Sequence, residues 1–401
     1  MKKIKKILLF FPALWAAVAL RLLRPWVVIR LWYLDISRIG GLYPVEWYIS
    51  VYPPEKRGKN FDIFYAITIN KTVCNQQWLT MWQRVARIVR WEDFLTMINA
   101  VSMKLPGHQM HVIPSGHVGS ILKTNKDNLK LVLANKKPNI AFTDDEERFG
   151  QQALKDLGVP EGRPFICFHS RDSAYLNTKY PQMSWGYHDY RDSSIYNYVP
   201  AVEAMVRQGY SAVRMGAIVK EKLTGDNPDI IDYANNGQRT DFLDIYLGAK
   251  CAFFLASDTG ITIVPEIFRK PVIYTNWTLF RMISPWVLHG LVIFKKFYSH
   301  RQKRLLTFAE MMVGPDTTEG FAKEQIELIE NTPEEIKEVT LEMEDRLKGR
   351  WQSTGEDEEL QERFWALYGP DLLKSQDLRI GAKFLRQYKY LLDQDLAKTG
   401  R

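Results

Sequence analysis

The sequence predicts an α/β protein of two units followed by a helical stretch, and three observations carry that expectation. From residue 161 onward, short apolar runs alternate with helix-patterned segments about every 20 residues, the sign of βαβ crossovers and a parallel sheet. A looser alternation of the same kind precedes it, from residue 26 to about residue 100. The length, 401 residues, exceeds what one core comfortably fills. Hydrophobic residues make up 46% of the chain and charged residues 25%, the balance of a water-soluble globular protein.

Residues 1–25 read as a membrane-associating segment. In MKKIKKILLFFPALWAAVALRLLRP four lysines precede the uncharged run Ile7–Leu20, whose 14 residues fall short of the roughly 20 needed to span a bilayer. Pro12 is expected to interrupt a helix early. Such a segment suits peripheral attachment to anionic lipid at the cytoplasmic face of the inner membrane. A basic start, an apolar core and Ala17-Val18-Ala19 fit a signal peptide as well. Lys2, Lys3, Lys5, Lys6, Arg21, Arg24 and Arg30 account for seven of the net +8 before the first acid, Asp35. The rest of the chain is therefore close to neutral, which argues against a nucleic-acid partner. Cys74, Cys167 and Cys251 are far apart and odd in number, with neither a disulfide framework nor zinc spacing.

The first α/β unit, 26–150, opens on an apolar strand at 26–34, a glycine turn through Gly40 and Gly41, and a helix carrying VEWYIS. FDIFYAITI at 61–69 is a strand, QWLTMWQRVARIV is helical by its spacing, and 123–139 is an exposed connection. The second unit, 151–305, runs PFICFHS (strand), YNYVPAVEAMVRQGY (helix), SAVRMG and DIIDYA (strands), TDFLDIYLGA (helix), CAFFLAS and PVIYTN (strands). Residues 306–401 are expected to be helical. There Thr332-Pro333-Glu334-Glu335 forms a capping box, and Ile336, Val339, Met343 and Leu347 mark one helix face.

Parallel sheets bind ligands at the carboxyl ends of their strands, and the polar residues of this chain collect there. Ser257-Asp258-Thr259-Gly260 follows the greasiest strand and leads into a helix. Its hydroxyls and backbone N–H groups can hold phosphate oxygens while Gly260 admits the ligand, although an ordinary helix cap has the same composition. Glu266, two helical turns beyond Asp258, can accept both hydroxyls of a ribose. His169-Ser170-Arg171 ends another strand, and the Arg171 fork can neutralise a departing phosphate. Arg214 ends the next strand and is a further phosphate candidate. Tyr190, Arg191 and Asp192 lie in a tyrosine-rich crossover suited to lining a donor or acceptor cleft. His108, His111 and His117 have no metal-ligand spacing, so no metal is expected.

Several stretches together resemble a known family. SDTGITIVPEIFRKPVIY is similar to the donor-domain signature of GT-B glycosyltransferases. ICFHSRDSAYL, YRDSSIYNYVPAVEAMVRQGYSAVRMG, TDFLDIYLGAKCAFFLASDTG and LTFAEMM resemble a family of bacterial GT-B-type glycosyltransferases associated with surface polysaccharide biosynthesis. The resemblance covers roughly residues 160–345. It implies two Rossmann-like domains, a nucleotide-sugar donor in the second, a glycan or lipid-linked acceptor presented by the first, and neither metal nor cofactor. The HSR stretch resembles the H-x-R of O-fucosyltransferase-like enzymes, whose arginine contacts the donor diphosphate, so Arg171 is a catalytic candidate. In such enzymes the glycine turn of the first domain faces the acceptor and often carries the general base. Relatives have histidine where this chain has Gly41, which leaves Asp35 and Glu46 as candidate bases, Asp35 reading equally as a cap. A nucleotide-sugar epimerase and a non-catalytic nucleotide-sugar-binding subunit are the alternatives.

Overall fold

A computed structural model describes residues 2–113, 137–280, 287–368 and 377–393, the first five of these by backbone alone. His117 and most of the expected connection at 123–139 lie outside the described residues. The chain divides into two units, Met1–Asp144 and Asp145–Arg401.

The first unit is built on a parallel sheet in the order β1-β2-β3, with β1 at Val28–Asp35, β2 at Asn60–Ile67 and β3 at Ile88–Val89. Its helices are α1 (Lys2–Leu22), α2 (Tyr43–Val51), α3 (Gln76–Gln83) and α4 (Glu92–Ser102). Eight residue pairs from Val28↔Asn60 to Asp35↔Ile67 hold β1 against β2. The helical pattern expected through Val89 stops at Gln83, and the β-branched pair Ile88-Val89 joins the sheet beside Phe64 and Tyr65. Helix α1 continues through Pro12. Pro12 and Leu8, whose carbonyl Pro12 cannot serve, are both on the exposed side, where water satisfies the lost bond.

The second unit carries a seven-stranded parallel sheet in the order β13-β9-β8-β7-β4-β5-β6. Its strands are β4 (Phe165–His169), β5 (Ser211–Arg214), β6 (Ile230–Ile231), β7 (Phe254–Ala256), β8 (Val272–Trp277), β9 (Gly290–Phe294) and β13 (Leu378–Ile380). Strands β7, β8 and β9 are buried along their whole length, as a sheet covered on both faces requires. A smaller antiparallel sheet, β11-β10-β12, comprises β10 (Lys296–Ser299), β11 (Arg304–Leu305) and β12 (Ile326–Ile329).

The C-terminal stretch is part of this unit and is not helical throughout, since it supplies β12 and the sheet-edge strand β13. These strands, of four and three residues, are too short to show a period. Its helix Pro333–Leu347 has the Thr332–Glu335 capping box, packs against the helix Val199–Arg207 and buries Ile336, Val339 and Met343. Leu347, at the end of the same stripe, is exposed.

Candidate functional site

The strand order fixes where a ligand pocket belongs. From β4 the chain moves outward to β5 and β6, then returns to the other side of β4 with β7 and moves outward again to β8 and β9. The reversal leaves the loops after β4 and β7 diverging from adjacent strands, the crevice that open α/β sheets use for ligands. His169-Ser170-Arg171 and Ser257-Asp258-Thr259-Gly260 are those two loops. They are tied together: Ser257 N–H donates to the His169 carbonyl at 3.2 Å, and Arg171 N–H donates to Ser257 Oγ at 2.7 Å. The Ser257 hydroxyl is fully buried and holds the loop.

Charge collects at this junction. The buried Arg171 guanidinium pairs with Asp192. Arg191 Nη2 donates to Asp258 Oδ1 at 2.7 Å and to the Asp258 carbonyl at 3.0 Å. Lys295, just past β9, donates to the carbonyls of Tyr190 at 3.1 Å and Asp192 at 2.5 Å. Three cations thus meet Asp192 and Asp258 in a place largely withdrawn from water, with Asp189 near enough to act on Arg171 and Glu330 on Lys295. Burial, helped by the neighbouring Arg191, pushes Arg171 down to about 10, still charged at neutral pH. Burial likewise pushes Lys295 down to about 8, with the Arg171 charge adding to it. Arg191 Nε and Asp258 Oδ2 are buried with no hydrogen-bond partner among the described residues, one donor and one acceptor in the same cluster.

The other expected donor residues serve in different ways. Ser170 Oγ donates to the Ser193 carbonyl and lies 2.9 Å from Ser193 Oγ, fixing the 190–193 segment. His169 Nδ1 sits 2.8 Å from the Met215 carbonyl, which only accepts, so that nitrogen carries the proton. Burial lowers the His169 pKa, so the ring is neutral near pH 7. Arg214 is buried at the end of β5 and lies 3.4 Å from Asp232. The stretch after Thr259 is a single 3-10 turn, Gly260–Thr262, and a five-residue helix, Ile263–Ile267. So short a helix contributes little dipole, and the positive charge here comes from side chains.

Glu266 accepts a hydrogen bond from the Tyr274 hydroxyl at 2.6 Å, and burial pushes its pKa up to about 7. Because the fold favours the protonated form, stability falls as pH rises from the ordinary carboxyl range through about 7. Glu266→Gln is therefore expected to stabilise the protein on the order of 2 kcal/mol at pH 8 and to have little effect near pH 4. Urea unfolding at the two pH values measures this, and equal effects at both would refute it.

Lys295 was not singled out from the sequence. Its signal is a lysine pair, Lys295-Lys296, closing a buried apolar strand, where a cation stays only if partners hold it. Lys296 has its own partner, Glu335 Oε2 at 2.8 Å. Arg191, expected on the acceptor side, joins the Arg171 cluster. Tyr190 is buried against Phe321 with ring centroids 5.5 Å apart, so its ring packs the core.

In the first unit Asp35 ends β1, and its Oδ1 accepts from Ser37 N–H at 3.0 Å and from the Ser37 hydroxyl. Glu46 is buried on α2. The turn Ile39–Leu42 carries Gly40 and Gly41. A β-carbon on Gly41 would lie 1.6 Å from the Asp35 carbonyl oxygen, so no side chain fits there. His111 uses both ring nitrogens: Nδ1 is 2.7 Å from the Ile29 carbonyl, and Nε2 accepts from Arg24 Nε at 2.8 Å. Among the described residues no group of three or more His, Cys, Asp or Glu side chains is placed to hold a metal ion.

Comparison with family models and with curated proteins finds no match in sequence. Among solved structures, a glycosyl transferase family 9 protein from Veillonella parvula DSM 2008 aligns over 67% of this chain and 86% of its own, at 9% identity and a TM-score of 0.39. The E. coli ADP-heptose LPS heptosyltransferase II aligns over 66% and 90%, at 12% identity and a TM-score of 0.38. The dodecameric iron-containing heptosyltransferase TibC, solved with ADP-D-beta-D-heptose, aligns over 80% and 76%, at 9% identity and a TM-score of 0.37. Similarity this distant says nothing of substrate, and the chemistry rests on this chain's own residues.

Proposed function

We propose that this chain is a glycosyltransferase that takes a sugar from a nucleotide-activated donor and transfers it to a glycan or lipid-linked acceptor in bacterial surface polysaccharide synthesis. The observation that carries the reading is the buried Arg171–Arg191–Lys295 cluster at the point where the strand order reverses. Buried cations with an open guanidinium donor at that reversal suit a diphosphate. In the reaction the acceptor oxygen bonds to the anomeric carbon as the bond from that carbon to the diphosphate oxygen breaks. The nucleoside diphosphate leaves with the electron pair, its charge met by Arg171 and Arg191, and the acceptor proton passes to a base. Glu266 is assigned to the ribose hydroxyls, with the Tyr274 bond holding it in place. The residue resemblance over 160–345 supports the same class.

A second reading, a nucleotide-sugar-binding subunit without turnover, is favoured by one observation. Asp35 is engaged by Ser37, Glu46 is buried, and position 41 has no room for a side chain. Incubation of the purified chain with a panel of nucleotide sugars separates these readings. Release of nucleoside diphosphate, with or without acceptor, supports the transferase. Saturable binding with no release supports the subunit, and a new sugar isomer would mean an epimerase.

The pH dependence of donor binding is a further expectation. An anion bound beside Lys295 favours its charged form, so affinity for a nucleoside diphosphate should fall as pH rises through about 8. The drop from pH 7 to pH 9.5 is expected to be about tenfold and to vanish in Lys295→Met. Calorimetric titration across that range measures it. A flat profile in the wild type would contradict the placement of the anion.

A further inference from the structure

Helix α1 is packed the wrong way round for a helix that meets only water. Its buried side carries small residues, Ala13 and Ala17, with Leu20, set against α4. Its opposite side carries the large apolar residues: Leu8 is 69% exposed, Phe11 63%, Trp15 73% and Leu22 68%. Positions 8, 11, 15 and 22 recur at helical spacing, so they form one continuous stripe. Trp26, just beyond the helix, is 75% exposed. A monomeric water-soluble protein buries such residues, and a stripe of this kind marks a surface with a partner.

The charge on the helix says which partner. Arg21 and Arg24 are occupied internally: Arg21 reaches the carbonyls of Ser102, Leu105 and Pro106, and Arg24 reaches Gly107 and His111. Arg30 pairs with Asp62. The remaining N-terminal cations are Lys2, Lys3, Lys5 and Lys6 in the first turns of the same helix, and no acid precedes Asp35. Lysines at one end, an apolar stripe along the length and tryptophans at Trp15 and Trp26 are the composition of a helix lying in a lipid headgroup layer. No helix among the described residues is long and apolar enough to cross a membrane, and the buried side of α1 already belongs to the fold of its own unit.

We propose that α1 is a surface helix that docks the folded protein on an anionic bilayer, lying parallel to the membrane with Leu8, Phe11, Trp15 and Leu22 in the headgroup layer and its alanine side on α4. The proposal stands apart from the transferase reading, since it concerns a different surface and a different ligand. The test is flotation of the full chain with vesicles of phosphatidylcholine alone and of phosphatidylcholine with phosphatidylglycerol at 3:1. Binding to the anionic vesicles is expected to exceed that to the neutral ones by about tenfold or more and to weaken with salt. The double substitution Phe11→Ser with Trp15→Ser should cut binding about tenfold or more while leaving the melting temperature unchanged, because neither side chain is in the core. Replacing Lys2, Lys3, Lys5 and Lys6 by glutamine should remove the preference for anionic lipid and keeps the test open should the double variant fail to fold. Absence of binding to both vesicle types overturns the proposal, as does unaltered binding by a folded double variant. A concentration-dependent dimer in sedimentation, abolished by the double substitution and without vesicle binding, would show that a second copy covers the stripe instead.

Discussion

Arg171→Ala is expected to weaken nucleoside-diphosphate binding about a hundredfold, the loss of a desolvated charge-assisted fork. The substitution removes one of the three cations and leaves Arg191 and Lys295 among Asp192, Asp258 and the neighbouring Asp189 and Glu330, a less favourable setting for an anion. The fold should survive, because the link between the β4 and β7 loops runs through the Arg171 backbone N–H, which alanine keeps. Arg171→Lys retains the charge without the planar fork and should fall between, near a tenfold loss. Calorimetric titration with a diphosphate, alongside thermal melting, reads both quantities. Wild-type affinity in a folded Arg171→Ala protein would remove this arginine from the proposed donor site.

Gly41→Ala should destabilise the protein by at least about 2 kcal/mol, a large effect for one added methyl group. The cause is local and steric. The new carbon would sit 1.6 Å from the Asp35 carbonyl oxygen, and that atom belongs to the last residue of β1. Relief requires moving backbone at the end of a strand paired to β2 along its whole length. Gly41→His should cost as much or more, so a histidine cannot be placed at this position by one substitution. Urea denaturation measures the loss, and an unchanged midpoint for Gly41→Ala would show that the turn is laxer than described. The same contact bears on the choice of a base: at position 41 this chain packs glycine against backbone and offers no side chain to take a proton.

The strands of the second unit could be read from sequence because they are buried on both faces and so appear as apolar runs between polar ends. Ser257, Asp258 and Arg171 could be read as strand-end polar residues for the same reason. Their partners could not. Arg191 meets Asp258 across 67 residues, and Lys295 reaches the 190–192 segment from more than 100 residues away. No local pattern encodes such pairings; they follow from strand order. Local signals also misled where tertiary contacts decide. Pro12 looked like a helix stop, yet α1 passes through it on its exposed side. The spacing in QWLTMWQRVARIV looked helical to its end, yet Ile88-Val89 pairs with β2. The stripe on α1 was visible as hydrophobicity, but which side faced α4 was not.

The measurement that bears most directly on the proposed donor site is a crystal structure of the chain grown or soaked with a nucleoside diphosphate. The site described here predicts phosphate oxygens within hydrogen-bond reach of Arg171 and Arg191, beside the 257–260 loop, with the ribose turned toward Glu266. A nucleotide lodged on another face, or crystals that stay empty at saturating concentrations with the 171–191–295 cluster open to solvent, would contradict it.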